Sequence, residues 1–160
     1  MKTTLAIAAI LVAASGCSKP NSVVEVFGDY EVAFPTGFQK FPSRSPDEVI
    51  WATQDRIVEI VSSTVEQPIS DSRSLPEFTA WISTKLGLSN PNFFRAANGF
   101  LVALNTSEES TRIVIVFPKP TDRWTATTFS VSGAYSNDHR LRETRELAIA
   151  AILSGRPSSK

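Results

Sequence analysis

The chain has 160 residues with 16 basic and 16 acidic side chains, and it contains one cysteine and one histidine. This length suits one domain, and the balanced charge excludes the strongly basic surface that is typical of nucleic-acid-binding proteins. The single cysteine excludes a disulfide within the chain. We therefore expect no nucleic-acid partner and a domain that is stabilised by core packing.

The first sixteen residues have the plan of a secretory signal peptide. A basic residue near the start precedes about ten apolar residues and then three small ones, Ala14, Ser15 and Gly16. A membrane-spanning helix needs about 20 apolar residues, and the polar sequence SKPNS begins too early for that. The segment is therefore predicted to be a removable leader that is cleaved between Gly16 and Cys17.

The run Ala14–Cys17 resembles the lipobox of bacterial lipoproteins, although Ala14 stands where that family most often has Leu. The resemblance implies that the Cys17 thiol takes a diacylglycerol and that the new amino terminus is acylated, for example with palmitate. Two or more acyl chains anchor a protein stably, whereas one gives marginal binding. By the sorting pattern that the resemblance implies, Ser18 after the cysteine favours the periplasmic face of the outer membrane, with the inner membrane as the alternative. A soluble periplasmic protein with an incidental cysteine is the other interpretation.

The remaining chain is predicted to form one globular domain on a short tether. We expect a lipidated tether at 17–22, a domain at 23–156 and a flexible tail at 157–160. Without the leader, which contains Lys2 and no acidic residue, the chain has a net charge of −1. No internal repeat or low-complexity tract divides the domain.

Turn signals predict several antiparallel hairpins. Gly28-Asp29 separates two β-prone runs, the apolar segment 49–65 turns near Gln54-Asp55, and Asn98-Gly99 is a strong hairpin signal. Residues 34–48 are rich in turn formers and are predicted to be a loop. The sequences RIVIVF and WTATTFSVSGAY predict two further strands.

Two helices are predicted beside these strands. In the first, Ser74 and Glu77 have the spacing of a capping box, and Gly87 is a stop signal. The second covers about 137–155 and ends at Gly155. Its first half is polar, and Arg140, Arg142 and Arg145 alternate there with acidic residues, which indicates a solvated face.

The pattern of the strands predicts how the elements assemble. The segments Phe100–Leu104 and Ile113–Phe117 are apolar at consecutive positions, so both faces of these strands must be covered. We therefore predict an α+β fold, a three-layer α/β/α sandwich. Its central, mostly antiparallel sheet would have one amphipathic helix on each face.

This order of elements resembles the PsbP-like superfamily, which includes the DcrB-type envelope lipoproteins. The resemblance lies in YEVAFPTGF (Tyr30–Phe38), in the SLPEFTAWI helix and in the closing ELAIAAILSG. It implies an accessory role in the cell envelope.

The sequence lacks the usual catalytic and cofactor motifs, so we expect no cofactor, no metal and no enzymatic activity. His139 is the one candidate general base, and a hydrolase that uses it is the least favoured of our alternatives. Glu108-Glu109 and the start of the second helix are interpreted as solvated charges.

Aromatic residues in segments that read as loops are the candidate partner-binding residues. They are Phe38, Phe41, Phe93, Phe94 and Trp124. The alternative is that these rings cap the ends of the core.

We favour a lipid-anchored envelope lipoprotein that binds or supports another envelope protein. The alternative in the same class is a periplasmic immunity or inhibitor protein that inserts a protruding loop, such as FPKPTDRW, into an active-site cleft.

Overall fold

The computed structural model describes residues 22–27, 30–68, 74–96, 99–107, 109–119, 123–133 and 139–158. In these ranges the chain forms ten β-strands and two α-helices. The strands are β1 (Val23–Phe27), β2 (Tyr30–Phe34), β3 (Phe38–Phe41), β4 (Glu48–Thr53), β5 (Glu59–Pro68), β6 (Asn92–Arg95), β7 (Leu101–Thr106), β8 (Ser110–Lys119), β9 (Arg123–Ser132) and β10 (Arg156–Pro157). The helices are α1 (Leu75–Lys85) and α2 (His139–Leu153).

The strands form two antiparallel sheets. The large sheet has seven strands in the order β3-β4-β5-β9-β8-β7-β6, and the small sheet has the order β1-β2-β10. Neighbours in chain order pair as hairpins in β1/β2, β3/β4, β4/β5, β6/β7, β7/β8 and β8/β9. The three hairpins that turn signals predicted are therefore confirmed.

Two short strands occupy segments that were predicted as loops. Phe38–Phe41 forms β3, and Phe93 and Phe94 belong to β6. Each of these strands has only four residues, too few for a clear alternation, and each is defined by its pairing with a longer neighbour, β4 or β7. Local composition does not reveal such pairing, which explains the wrong assignment.

The consecutive apolar residues of β8 are buried on both faces of the large sheet, as predicted. Ile113, Ile115 and Phe117 belong to one core cluster, whereas Val114 and Val116 belong to a second. Successive side chains of a strand point to opposite faces. The two clusters therefore lie on opposite faces of the sheet.

The first cluster joins the large sheet to α2 and to the small sheet. Ala148 and Ile152 of α2 pack there together with Tyr30 of β2. The Tyr30 hydroxyl donates a hydrogen bond to the Ile152 carbonyl oxygen at 2.6 Å. A Cβ at Gly155 would lie 2.6 Å from the Tyr30 ring, so only glycine allows the chain to leave α2 so close to this buried ring.

The second cluster lies under α1, which packs on β7 and β8 through Phe78 and Ile82. The helix begins and ends as predicted. The Ser74 backbone N–H donates to the Glu77 carboxylate at 2.7 Å, and Gly87 follows the last turn with φ +66°.

The buried guanidinium of Arg145 contradicts the prediction of a uniformly solvated face in the first half of α2. Arg145 is 2% exposed and donates to the carbonyl oxygens of Gly133 (3.0 Å) and Ser107 (3.2 Å) and to Thr111 Oγ1 (2.8 Å). Its position is three residues before Ala148, so it lies on the apolar stripe of the helix. The side chain therefore fastens α2 to the ends of β7, β8 and β9.

The architecture is a mixed α/β fold with a large antiparallel sheet and two helices. The two helices contribute to different clusters. One face of the large sheet is covered by the small sheet together with α2, whereas the sequence predicted a single helix on each face. The full three-layer arrangement stays a prediction. Within the described ranges, no helix is long and apolar enough to span a bilayer.

Candidate partner-binding surface

The five predicted partner-binding aromatic residues all lie in strands, and the structure does not bring them together. Phe38 and Phe41 belong to β3 at one edge of the large sheet, while Phe93 and Phe94 belong to β6 at the other edge. Five strands separate these edges, and Trp124 lies in β9 between them.

The rings on β3 are covered by neighbouring side chains. Phe38 is only 8% exposed and packs in the first cluster, with its ring centroid 6.1 Å from that of Phe34. Phe41 is half-buried, and the Arg56 guanidinium lies 4.9 Å from its ring centroid. Arg56 also pairs with Glu59, so this aromatic–cation contact is part of the sheet's own surface.

Trp124 is also packed against the core. Its ring is stacked near Phe78 of α1 at a centroid distance of 6.2 Å, and it flanks the second cluster. The predicted inserting loop FPKPTDRW begins at Phe117, which is 2% exposed, and its centre at 120–122 lies outside the described residues. The inhibitor interpretation of this loop stays a prediction.

Phe93 and Phe94 are the exposed members of the set. Phe93 is 48% exposed and Phe94 is 39% exposed, and every residue of β6 is exposed. Phe93 is opposite Ala103 of the second cluster, and Phe94 is opposite Val102 of the first. The two rings therefore stand on opposite faces of the sheet at its free edge.

The backbone of β6 also faces away from the sheet at alternate residues. In the described part of the chain, β6 pairs only with β7. The Ala96 N–H donates to the Phe100 carbonyl oxygen at 2.9 Å, which makes this a hydrogen-bonded pair. Hydrogen-bonded pairs alternate along an antiparallel ladder, so the next one is Phe94 with Val102. The N–H and C=O groups of Phe93 and Arg95 consequently point outward.

A groove separates β6 from α1. It encloses about 480 Å³ and is lined by Ala80, Ser83 and Thr84 of α1 and by Leu88, Pro91 and Phe93. These lining side chains are uncharged. We call this groove, together with β6 itself, the β6 edge surface.

One cation, Arg95, lies on β6 itself, where it donates a hydrogen bond to the Gly99 carbonyl oxygen, and two more lie on the neighbouring elements α1 and β8. Lys85 lies in the last turn of α1, Arg95 ends β6, and Arg112 of β8 donates to the Leu86 carbonyl oxygen at 3.0 Å. Among the described residues, no carboxylate lies within 4.0 Å of these three side chains to form an ion pair. The sequence contains no Asp or Glu from 78 to 107, a signal for this positive region that the sequence analysis missed.

The remaining predicted site residues lie elsewhere. Gly16 and Cys17, the predicted cleavage and lipidation positions, are outside the described residues. His139 is exposed at the first position of α2, and its Nδ1 lies 3.3 Å from Glu143 Oε1. In the described ranges, Glu143 is the side chain that contacts the His139 ring, no serine hydroxyl does so, and no group of three or more His, Cys, Asp or Glu side chains could hold a metal ion. The absence of enzymatic activity stays a prediction.

Comparison with known proteins shows likeness in fold. No protein-family profile matches the sequence, and no curated protein matches it. A crystal structure of a Bacteroides thetaiotaomicron protein is similar with a TM-score of 0.52 and 10% identity, over 89% of this chain and 50% of that one. The chain thus spans half the length of that protein.

A second solved structure is similar over most of both chains. It is LpqN of Mycobacterium tuberculosis, which is described as involved in cell envelope biogenesis. The TM-score is 0.51 and the identity 12%, over 86% of this chain and 90% of LpqN. At this identity the likeness concerns the fold alone.

Proposed function

We propose that this protein is a lipid-anchored accessory module of the bacterial cell envelope that binds another envelope protein through the β6 edge surface. The observation that supports the proposal best is the exposure of Phe93 and Phe94 on an edge strand. Aromatic side chains are enriched at the energetic centres of protein interfaces. The other three aromatic candidates pack on neighbouring side chains.

The envelope location is supported by the lipobox-like run Ala14–Cys17 and by the fold that the chain shares with LpqN. The PsbP-like and DcrB-type resemblance belongs to the same proposal. The three-layer arrangement is also part of this proposal. It is supported by α1 and α2, which contribute to clusters on opposite faces of the large sheet.

The test is crosslinking of the full-length protein in intact envelopes, followed by affinity purification and mass spectrometry. We compare the wild type with Phe93→Ser and Phe94→Ser. We expect one abundant envelope protein whose recovery falls about tenfold in each variant, since the loss of an interface anchor costs at least about 1–2 kcal/mol.

Leu147→Ser is the matched control, because Leu147 is 57% exposed on α2, away from the β6 edge surface. Its recovery of the partner should equal that of the wild type. Recovery of the same proteins with all four chains would contradict the proposal, provided that circular dichroism shows that each variant is folded.

A further inference from the structure

We infer that the β6 edge surface binds an extended, acidic peptide segment of the partner, which adds to the large sheet as an eighth strand. The inference rests on the proposed function and specifies the chemistry of the partner. It is drawn from the outward backbone groups of β6, the two exposed rings and the charge of Arg95 on the same strand.

The backbone of β6 defines the shape of the ligand. Phe93 and Arg95 each present one N–H and one C=O outward, and these four groups match the hydrogen-bonding pattern of one further strand. The next outward position is Pro91, which has no N–H. The edge therefore accepts a short strand, about as long as β6 itself.

The side chains of β6 define a pattern in the ligand. Directly opposed residues of neighbouring strands lie on the same face, with their Cβ atoms about 4.5–5.5 Å apart. A ligand residue opposite Phe93 therefore lies beside the groove and the α1 face, and its neighbour in sequence lies on the face of Phe94. Apolar side chains suit both positions.

The charges select an acidic ligand. Arg95 shares the α1 face with Phe93, and Arg112 shares it with Val114. Lys85 comes from the last turn of α1. Arg95, which lies on the edge strand and has no carboxylate partner in the described chain, favours Asp or Glu opposite it in the ligand, and Lys85 and Arg112 add positive charge on the same side of the sheet.

The same charges argue against a second copy of this chain as the occupant. Pairing of two β6 strands would bring together two copies of Arg95. Like charges across an interface suppress association. The opposite edge strand, β3, differs from β6 because its cation is already paired: Lys40 Nζ lies 2.8 Å from Glu25 Oε1 of the small sheet.

The test is selection of a random dodecapeptide phage library on the lipidated full-length protein, and the best binder is then synthesised. We expect selected peptides with one or more acidic residues next to apolar ones. Arg95→Glu should weaken binding at least tenfold, and a peptide with its acidic residue changed to Lys should restore it. Phe93→Pro removes an outward N–H and should also weaken binding at least tenfold, while Leu147→Ser should not.

Amide hydrogen exchange gives a readout that a merely structural role would not produce. On peptide binding, the Phe93 and Arg95 amides should exchange at least tenfold more slowly, whereas the Phe94 amide already bonds to β7. Selected peptides without acidic residues, unchanged exchange at these two amides, or equal binding by Arg95→Glu would overturn the inference. So would a dimer that Phe93→Pro dissociates. If crosslinking still finds a partner that depends on Phe93, the proposed function stands while the strand addition is wrong.

Discussion

At the scale of single residues, Arg145 shows how one charged side chain can be a structural part of the core. Its guanidinium is buried and reaches two backbone carbonyls and the Thr111 hydroxyl. Hydrogen bonds from a charged donor contribute about 1.5–3 kcal/mol each, and an unsatisfied buried acceptor is costly. The ends of three strands and one helix are thus joined by one fork of N–H donors.

We predict that Arg145→Met lowers the free energy of unfolding by about 2–4 kcal/mol, because it leaves the Thr111 hydroxyl and two carbonyl oxygens without their donor. Denaturant unfolding followed by fluorescence measures the change. Arg142→Ala is the control on the same helix, since Arg142 is exposed, and it should shift the stability by less than about 0.5 kcal/mol. Equal stability of Arg145→Met and the wild type would show that the network contributes nothing net.

The helical spacing of the sequence indicates that Arg145 is buried, although its charge suggests the opposite. Arg145, Ala148 and Ile152 have the spacing of one helical face, and all three are buried. Mixed charges in the first half of α2 suggested a solvated face. Periodicity, rather than the identity of the residue, indicates which side of the helix faces the sheet.

At the scale of elements, the β4–β5 turn shows how a local hydrogen-bond network determines a hairpin. The Asp55 carboxylate accepts hydrogen bonds from Thr53 Oγ1 at 2.6 Å and from the Ile57 N–H at 3.3 Å. These bonds, first of all the one from Thr53, hold the pKa of Asp55 below its ordinary value of 3.8. The next residue, Arg56, adopts φ +56°, a conformation that costs a non-glycine residue energy.

The lowered pKa predicts a pH-dependent contribution of this turn to stability. A depressed pKa in the folded state means that the carboxylate stabilises the fold above its ordinary pKa, and that this contribution is lost as the pH falls through the folded-state value. Asp55→Ala should therefore lower the melting temperature at about pH 6, and the difference from the wild type should shrink towards about pH 3. A difference that is constant over this range would contradict the assignment. Asp47→Ala, at another exposed turn, is the control.

The elements differ in how far their sequence determines them. The helix α1 could be placed because capping residues and a glycine stop define both ends. The strand β8 could be placed because its consecutive apolar residues require burial on two faces. The strands β3 and β6 could not, because four residues next to proline and glycine obtain their structure from pairing with β4 and β7.

At the scale of the whole molecule, the two edges of the large sheet differ in a way that no linear pattern shows. In the sequence, the aromatic pair at Phe38 and the aromatic pair at Phe93 look equally suited to bind a partner. The strand order places them at opposite edges, where one ring is buried and the other is 48% exposed. Exposure depends on which strand is last in the sheet and on what covers it. The sequence could thus suggest candidate residues, whereas it could not show which of them are exposed or that they lie at different edges.

The short tether between Cys17 and the domain determines how far the domain can lie from the membrane in the proposed arrangement. Five residues separate Cys17 from Val23, where β1 begins, and they span at most about 20 Å when extended. A lipid on Cys17 would therefore hold the domain close to the membrane surface. The β6 edge surface would then meet partners that reach this layer of the envelope.

We predict that Cys17→Ala abolishes the incorporation of labelled palmitate and moves the protein from the membrane fraction to the soluble fraction. The melting temperature of the domain should not change, because among the described residues the two core clusters begin only at Phe27. Ser18→Ala is the control, and it should retain both the label and the membrane fraction. Label in the Cys17→Ala protein, or a wild type that takes up none, would contradict the lipid anchor. Stable anchoring requires two or more acyl chains. Partial release of the wild-type protein from the membrane fraction would therefore indicate that it has a single chain.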